Sequence, residues 1–133
     1  MTKGKVSHFE IPVEKMDRAK KFYAAAFEWA IQTVPGAGPG QDYVMAQTAK
    51  TDERGMIQEN GAINGGIVNR VGPLKHPIIT VVVDNIDQAI KDVKKAGGKI
   101  TVPKTAMADM GIYAYFEDTE GNTLGLWQST RPM

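Results

Sequence analysis

Val6-Ser7-His8-Phe9-Glu10-Ile11-Pro12-Val13 alternates along its length: Phe9, Ile11 and Val13 point one way, His8 and Glu10 the other. The pattern predicts a strand with one apolar face and one face carrying ionisable groups. Directly after it, Met16, Ala19, Tyr23, Ala26, Phe27 and Ala30 recur at helical spacing, while Lys15, Arg18 and Lys21 fall off that stripe. A strand running straight into an amphipathic helix makes a βα unit, with the helix covering the Phe9, Ile11 and Val13 side. Pro35-Gly36-Ala37-Gly38-Pro39-Gly40 then reads as a flexible connection that breaks the chain.

The plan returns seventy residues on. Ile79-Thr80-Val81-Val82-Val83-Asp84 predicts a strand, and Ile86, Ala89, Ile90 and Val93 line one side of a helix. Gly97-Gly98 offers its left-handed stop. A slide of seventy superposes Val13 on Val83, Asp17 on Asp87, Ala19 on Ala89, Lys21 on Lys91, Ala26 on Ala96 and Tyr43 on Tyr113. Gly61 to Ile67 matches Gly121 to Trp127 at a slide of sixty, so the first copy carries about ten extra residues in a hairpin loop, Lys50 to Gln58.

The order of these matches indicates an internal duplication of a βαβββ unit, about residues 5–69 and 76–129. The later strands fall at Tyr43 to Thr48, Ala62 to Asn69, Tyr113 to Glu117 and Thr123 to Gln128, with Glu120-Gly121-Asn122 turning the last pair. The expected class is α+β: two tandem βαβββ modules in one domain, 1–133, with curved mixed sheets around a cleft. With the helices on the outer faces, the inner faces carry the residues in phase with His8. These are Glu10, then Ile78, Thr80 and Val82, then Gly65 and Ile67, then Gly125 and Trp127.

Composition narrows the function. The 133 residues hold 16 Lys+Arg against 15 Asp+Glu, two His and no Cys, with 42% hydrophobic and 23% charged residues. That length suits one domain, and a net charge of +1 gives no footprint for nucleic acid or anionic lipid. Without cysteine there are no disulfides, thiolate nucleophiles, CxxC redox pairs or thiolate zinc sites. The first ten residues lack an apolar leader core, and the longest apolar run, Pro77 to Val83, is of strand length. The expectation is a cytoplasmic protein with no membrane span. Pro35 to Gly40 lacks the Lys-Ser/Thr of a phosphate-binding loop, and the only serines, Ser7 and Ser129, form no nucleophile elbow. Asp118 to Asn122 reads as a turn and not a calcium loop; Lys91, Lys94, Lys95 and Lys99 read as a solvated face.

His8-Phe9-Glu10-Ile11-Pro12-Val13, Arg18-Ala19-Lys20-Lys21-Phe22-Tyr23, Phe27-Glu28-Trp29 and the run from Glu117 to Gln128 together resemble the vicinal oxygen chelate superfamily over residues 5–129. That superfamily holds glyoxalase I, the bleomycin-resistance proteins and the extradiol dioxygenases. The resemblance implies the fold above and a homodimer. It also implies a divalent ion held by His or Glu side chains from the first and last strand of each repeat. In this chain those positions are His8, Ile78, Gly65 and Gly125, of which only His8 is a donor. Several N or O donors must converge within about 2.0–2.6 Å to hold such an ion. No metal and no cofactor is therefore expected. His76, two residues ahead of Ile78, is followed by Pro77 and sits in the wrong register.

The candidate ligand-binding residues are His8, Glu10, Gly65, Ile78, Thr80, Gly125 and Trp127. His8 and Glu10 offer either a base with its orienter or two anchors for a polar ligand. Against this, His8 reads as a remnant of an ancestral site and Glu10 as the partner of an edge lysine. Trp127 suits one wall of the cleft, and the glycines either leave room for a ligand or mark close strand approach. The reading is a glyoxalase-like protein binding a small organic molecule in a metal-free cleft. Its alternative is an enzyme of lyase, isomerase or oxygenase type using His8 and Glu10, with or without a metal. Isomerisation of the glyoxalase I kind and extradiol cleavage are disfavoured, because both need the missing ligands.

Overall fold

The elements follow the chain as β1 (Lys5–Val13), α1 (Met16–Phe27), β2 (Ala30–Gly38), β3 (Gln41–Gln47), β4 (Asn64–Asn69), β5 (Ile78–Val82), α2 (Ile86–Lys95), β6 (Lys99–Met107), β7 (Gly111–Glu117) and β8 (Thr123–Ser129). This computed structural model describes residues 4–38, 41–53, 61–107 and 110–130. Contacts divide the chain into two units: His8–Pro77, and Ile78 onward with the start of the chain through Ser7. No described helix is long and apolar enough to cross a membrane.

In the unit His8–Pro77 the strands run in the order β2-β3-β4-β1. The β1–β4 pair is parallel, and β2–β3 and β3–β4 are antiparallel. A parallel pair requires a crossover, and α1 with β2 and β3 supplies it. Val44, Ala46 and Ile67 form the buried centre, with Val13, Met16, Ala19, Tyr23, Trp29 and Ile31 packed around it. Full burial of a side chain such as Ile67 contributes about 1.5–3 kcal/mol. The odd residues of β1 face α1 as the alternation predicts: Phe9 meets Trp29 at 5.8 Å, and Trp29 stacks on Tyr23 at 5.0 Å.

The other unit repeats the order as β5-β8-β7-β6, with β5–β8 parallel and the rest antiparallel. Val83, Ile86, Ala89, Ala114 and Leu126 form its core beneath α2. Asp118 Oδ1 accepts the backbone N–H groups of Glu120 and Asn122, which closes the predicted turn between β7 and β8. Lys91, Lys94, Lys95 and Lys99 are exposed, as a solvated face requires.

Three sequence expectations change. Pro35 to Gly38 is not a connection but the end of β2, which pairs only with β3 and slips register between Val34 and Gly38. Proline and glycine are tolerated on an edge strand at such an irregularity. Pro39, Gly40 and the stretch 54–58 of the expected long loop lie outside the described residues. Ala30, placed on the helical stripe, starts β2, because α1 ends at Phe27 and turns through Glu28 in the left-handed region.

The third change concerns β4. Glu10 lies opposite Gly66, and Phe9 lies opposite Gly65. Gly65 and Ile67 therefore belong to the helix side, and a Cβ built on Gly65 would meet the Phe9 ring at 2.5 Å. Gly66 is the position in phase with Glu10. In the other unit Thr80 lies opposite Gly125, as the spacing predicts. The true counterpart of Gly125 is thus Gly66, and two adjacent glycines hid a one-residue slip.

Candidate functional site

On the side of its sheet facing away from α1, β1 presents His8 and Glu10, two residues apart on one strand. Met45 of β3 lies opposite Gly66, so Tyr43 and Met45 share that side. The Tyr43 ring crosses over Gly66 to reach β1. A Cβ at position 66 would fall 2.5 Å from Tyr43 Cζ and closer still to Oη. Only glycine leaves the space that the phenol occupies.

The phenol joins the two ionisable groups. Tyr43 Oη donates to Glu10 Oε2 at 2.8 Å, and His8 Nε2 lies 3.1 Å from Tyr43 Oη. Glu10 is 5% exposed and Tyr43 8%. Burial of a carboxyl group is costly without polar partners, and the phenol supplies one. The His8 ring is half-buried, and desolvation lowers its pKa from 6.5 to about 4. At neutral pH the imidazole is uncharged. Asn64, opposite His8, is engaged elsewhere: its Oδ1 accepts the backbone N–H groups of Thr48 and Ala49 at 2.8 and 3.0 Å.

The corresponding side of the other unit carries Ile78 and Thr80 from β5, Gly125 and Trp127 from β8, and Tyr113 and Tyr115 from β7. Ile78 and Thr80 are buried, and a Cβ on Gly125 would stand 3.1 Å from Thr80 Oγ1. The Trp127 indole lies over Gly111, where a Cβ would meet Cζ2 at 2.5 Å. Its ring is half-buried against its own sheet and pairs across strands with Tyr113. His76 is exposed ahead of β5.

In the unit His8–Pro77, His8 Nε2 and Glu10 Oε2 both face the Tyr43 hydroxyl and Gly66 brings no side chain. In the other unit, Gly125 brings no side chain and Ile78 has no lone pair. Among the described residues no group of three or more His, Asp or Glu side chains is placed to hold a metal ion. Tyr43 is the functional candidate that sequence reasoning could not place. The signal was present in Tyr43-Val44-Met45-Ala46, whose alternate members are the buried Val44 and Ala46, but its phase needs the register with β4.

The sequence pattern of the Glyoxalase/Bleomycin resistance protein/Dioxygenase superfamily matches residues 5–126. The chain belongs to that superfamily. Among curated relatives, a "Glyoxylase-like domain-containing protein" of Didymella fabae is 30% identical over 97% of this chain and 95% of its own. "Putative glyoxylase CFP32" of Mycobacterium bovis is 26% identical over 96% of this chain and 47% of its own length. The chain thus spans about half the length of the mycobacterial proteins of that name. Among solved structures, hypothetical protein BH1468 from Bacillus halodurans has a TM-score of 0.68 at 14% identity, covering 98% of this chain and 97% of that one. Streptomyces coelicolor methylmalonyl-CoA epimerase in complex with 2-nitronate-propionyl-CoA also gives 0.68 at 14%, covering 96% and 98%. At that identity the likeness establishes the superfamily's fold and not its chemistry.

Proposed function

We propose that this glyoxalase-like protein binds a small organic molecule, without a resident metal ion, against the His8–Tyr43–Glu10 face. The hydrogen-bonded chain itself carries the reading. At His8, where the superfamily pattern leads one to expect a metal ligand, the imidazole is joined to the buried Glu10 carboxyl group through a phenol hydroxyl. A few placed polar groups beside apolar neighbours such as Met45 and Pro12 suit recognition of a small molecule. The names of the curated relatives agree with the broad class only.

The low basicity of His8 favours binding over catalysis. A general base works best with a pKa near the operating pH. An imidazole held at about 4 draws a proton weakly at neutrality and is suited to accepting a hydrogen bond. The alternative, an enzyme of lyase, isomerase or oxygenase type with His8 and Glu10 as acid–base pair, requires ligand binding to restore that basicity.

Metal analysis of the purified, tag-free protein tests the proposal, followed by titration with Ni²⁺, Zn²⁺, Mn²⁺ and Fe²⁺ beside the His8→Ala variant. The expected outcome is no stoichiometric ion that depends on His8. One tightly held ion per chain, lost in His8→Ala, overturns the proposal and returns the protein to the metal-dependent enzymes.

A further inference from the structure

The Tyr43 hydroxyl has one proton, and the direction of its bond to Glu10 decides what His8 can do. The phenol donates along the 2.8 Å line from Oη to Oε2, so its proton points at Glu10. The same oxygen then turns lone pairs towards His8 Nε2, 3.1 Å away. Two facing lone pairs repel, whereas a proton on Nε2 makes a hydrogen bond.

We propose that Tyr43 is a positioning residue that fixes the tautomer of His8: the ring carries its proton on Nε2 and keeps Nδ1 as its acceptor, so the molecule bound here is one that offers an O–H or N–H donor to Nδ1. The inference rests on the reading of this face as the ligand site and adds to it the polarity of the contact. Gly66 is part of the device, because any side chain there would push the phenol away from both partners. Glu10 sets the direction, Tyr43 transmits it and His8 presents the result. An alcohol, enol, phenol or amide N–H meets the requirement; an ether or ester of the same shape does not.

Nuclear magnetic resonance of the ¹⁵N-labelled full chain near neutral pH tests the tautomer without any ligand. In the wild type, the long-range ¹H–¹⁵N spectrum of His8 is expected to show Nδ1 in the lone-pair range and Nε2 in the protonated range. In Tyr43→Phe the two nitrogens are expected to move towards a common averaged position as the tautomers mix. Gly66→Ala, which keeps the phenol but displaces it, is expected to move them the same way and serves if Tyr43→Phe does not fold. A wild-type ring protonated on Nδ1, or a pattern unchanged in both variants, overturns the positioning role.

The donor requirement has its own arm, with phenol and anisole as matched probes. Phenol is expected to shift the His8 Nδ1 resonance while anisole leaves it in place. Equal effects, or none from phenol, overturn the ligand class while leaving the tautomer result standing. Loss of the metal-free reading would come from the ion titration and not from these spectra, so the two proposals fail separately.

Discussion

Glu28 stands at the end of α1 with φ of 57°, the one non-glycine residue with positive φ among the described residues. Its N–H closes the last turn onto Ala24 O at 3.1 Å, so the conformation is required by the cap and not by the side chain. An L-residue in that region carries about 1 kcal/mol of steric strain that glycine lacks, partly offset by the entropy glycine loses on folding. Glu28→Gly is therefore expected to stabilise the protein by about 0.5–1 kcal/mol, read as a rise in the urea midpoint at unchanged slope. A fall would mean that Glu28 makes a compensating contact. Gly65 and Gly66 stand side by side and serve different faces, one against Phe9 and the other beneath the Tyr43 phenol.

The two helices are built to different standards. At the start of α2, Asn85 Oδ1 accepts from Gln88 N–H at 3.0 Å, and Gln128 of β8 accepts from Ile86 N–H at 2.8 Å. Its other end closes with Gly98 N–H on Val93 O and Gly97 N–H on Lys94 O, with Gly97 in the left-handed region at φ 103°. By contrast, Lys15 gives α1 no side-chain cap, and no residue of α1 is fully buried. Asn85→Ala is expected to cost about 1 kcal/mol, the ordinary worth of an N-cap. Lys15→Asp is expected to gain a similar amount by supplying the missing acceptor at an end that favours negative charge. Equilibrium denaturation of both variants checks the pair; two neutral outcomes would show that tertiary packing alone sets helix stability here.

For the whole molecule, His8 ties stability to pH. Its folded pKa of about 4 lies below the ordinary 6.5, so between these values the unfolded chain binds a proton that the folded one does not. The contribution is complete above pH 6.5 and is lost as pH falls through that window towards 4. Its size is on the order of 2–3 kcal/mol, reduced where water reaches the half-buried ring. His8→Gln is expected to flatten the stability profile across that window. Comparing urea midpoints of the two proteins along a pH series isolates the term, because the carboxylates titrate in both. Parallel profiles would exclude the assigned shift.

Alternation in residues 6–13, the helical stripes after it and their return near residue 79 are local periodicities, and they alone determined the βαβββ plan, its duplication and the face that carries His8 and Glu10. The hairpin at Asp118 to Asn122 was equally legible, since a turn is made from its own residues. The choice between Gly65 and Gly66 was not, because it depends on how β4 registers against β1. A slip of one residue exchanges the faces without changing the local pattern. Nor could the extent of β2 be read, because its pairing with β3 overrides the turn signals of Pro35 and Gly36. The joining of His8 and Glu10 through Tyr43 likewise belongs to tertiary structure alone. It brings together strands thirty or more residues apart in the chain, and a hydrogen bond over that separation leaves no period in the sequence.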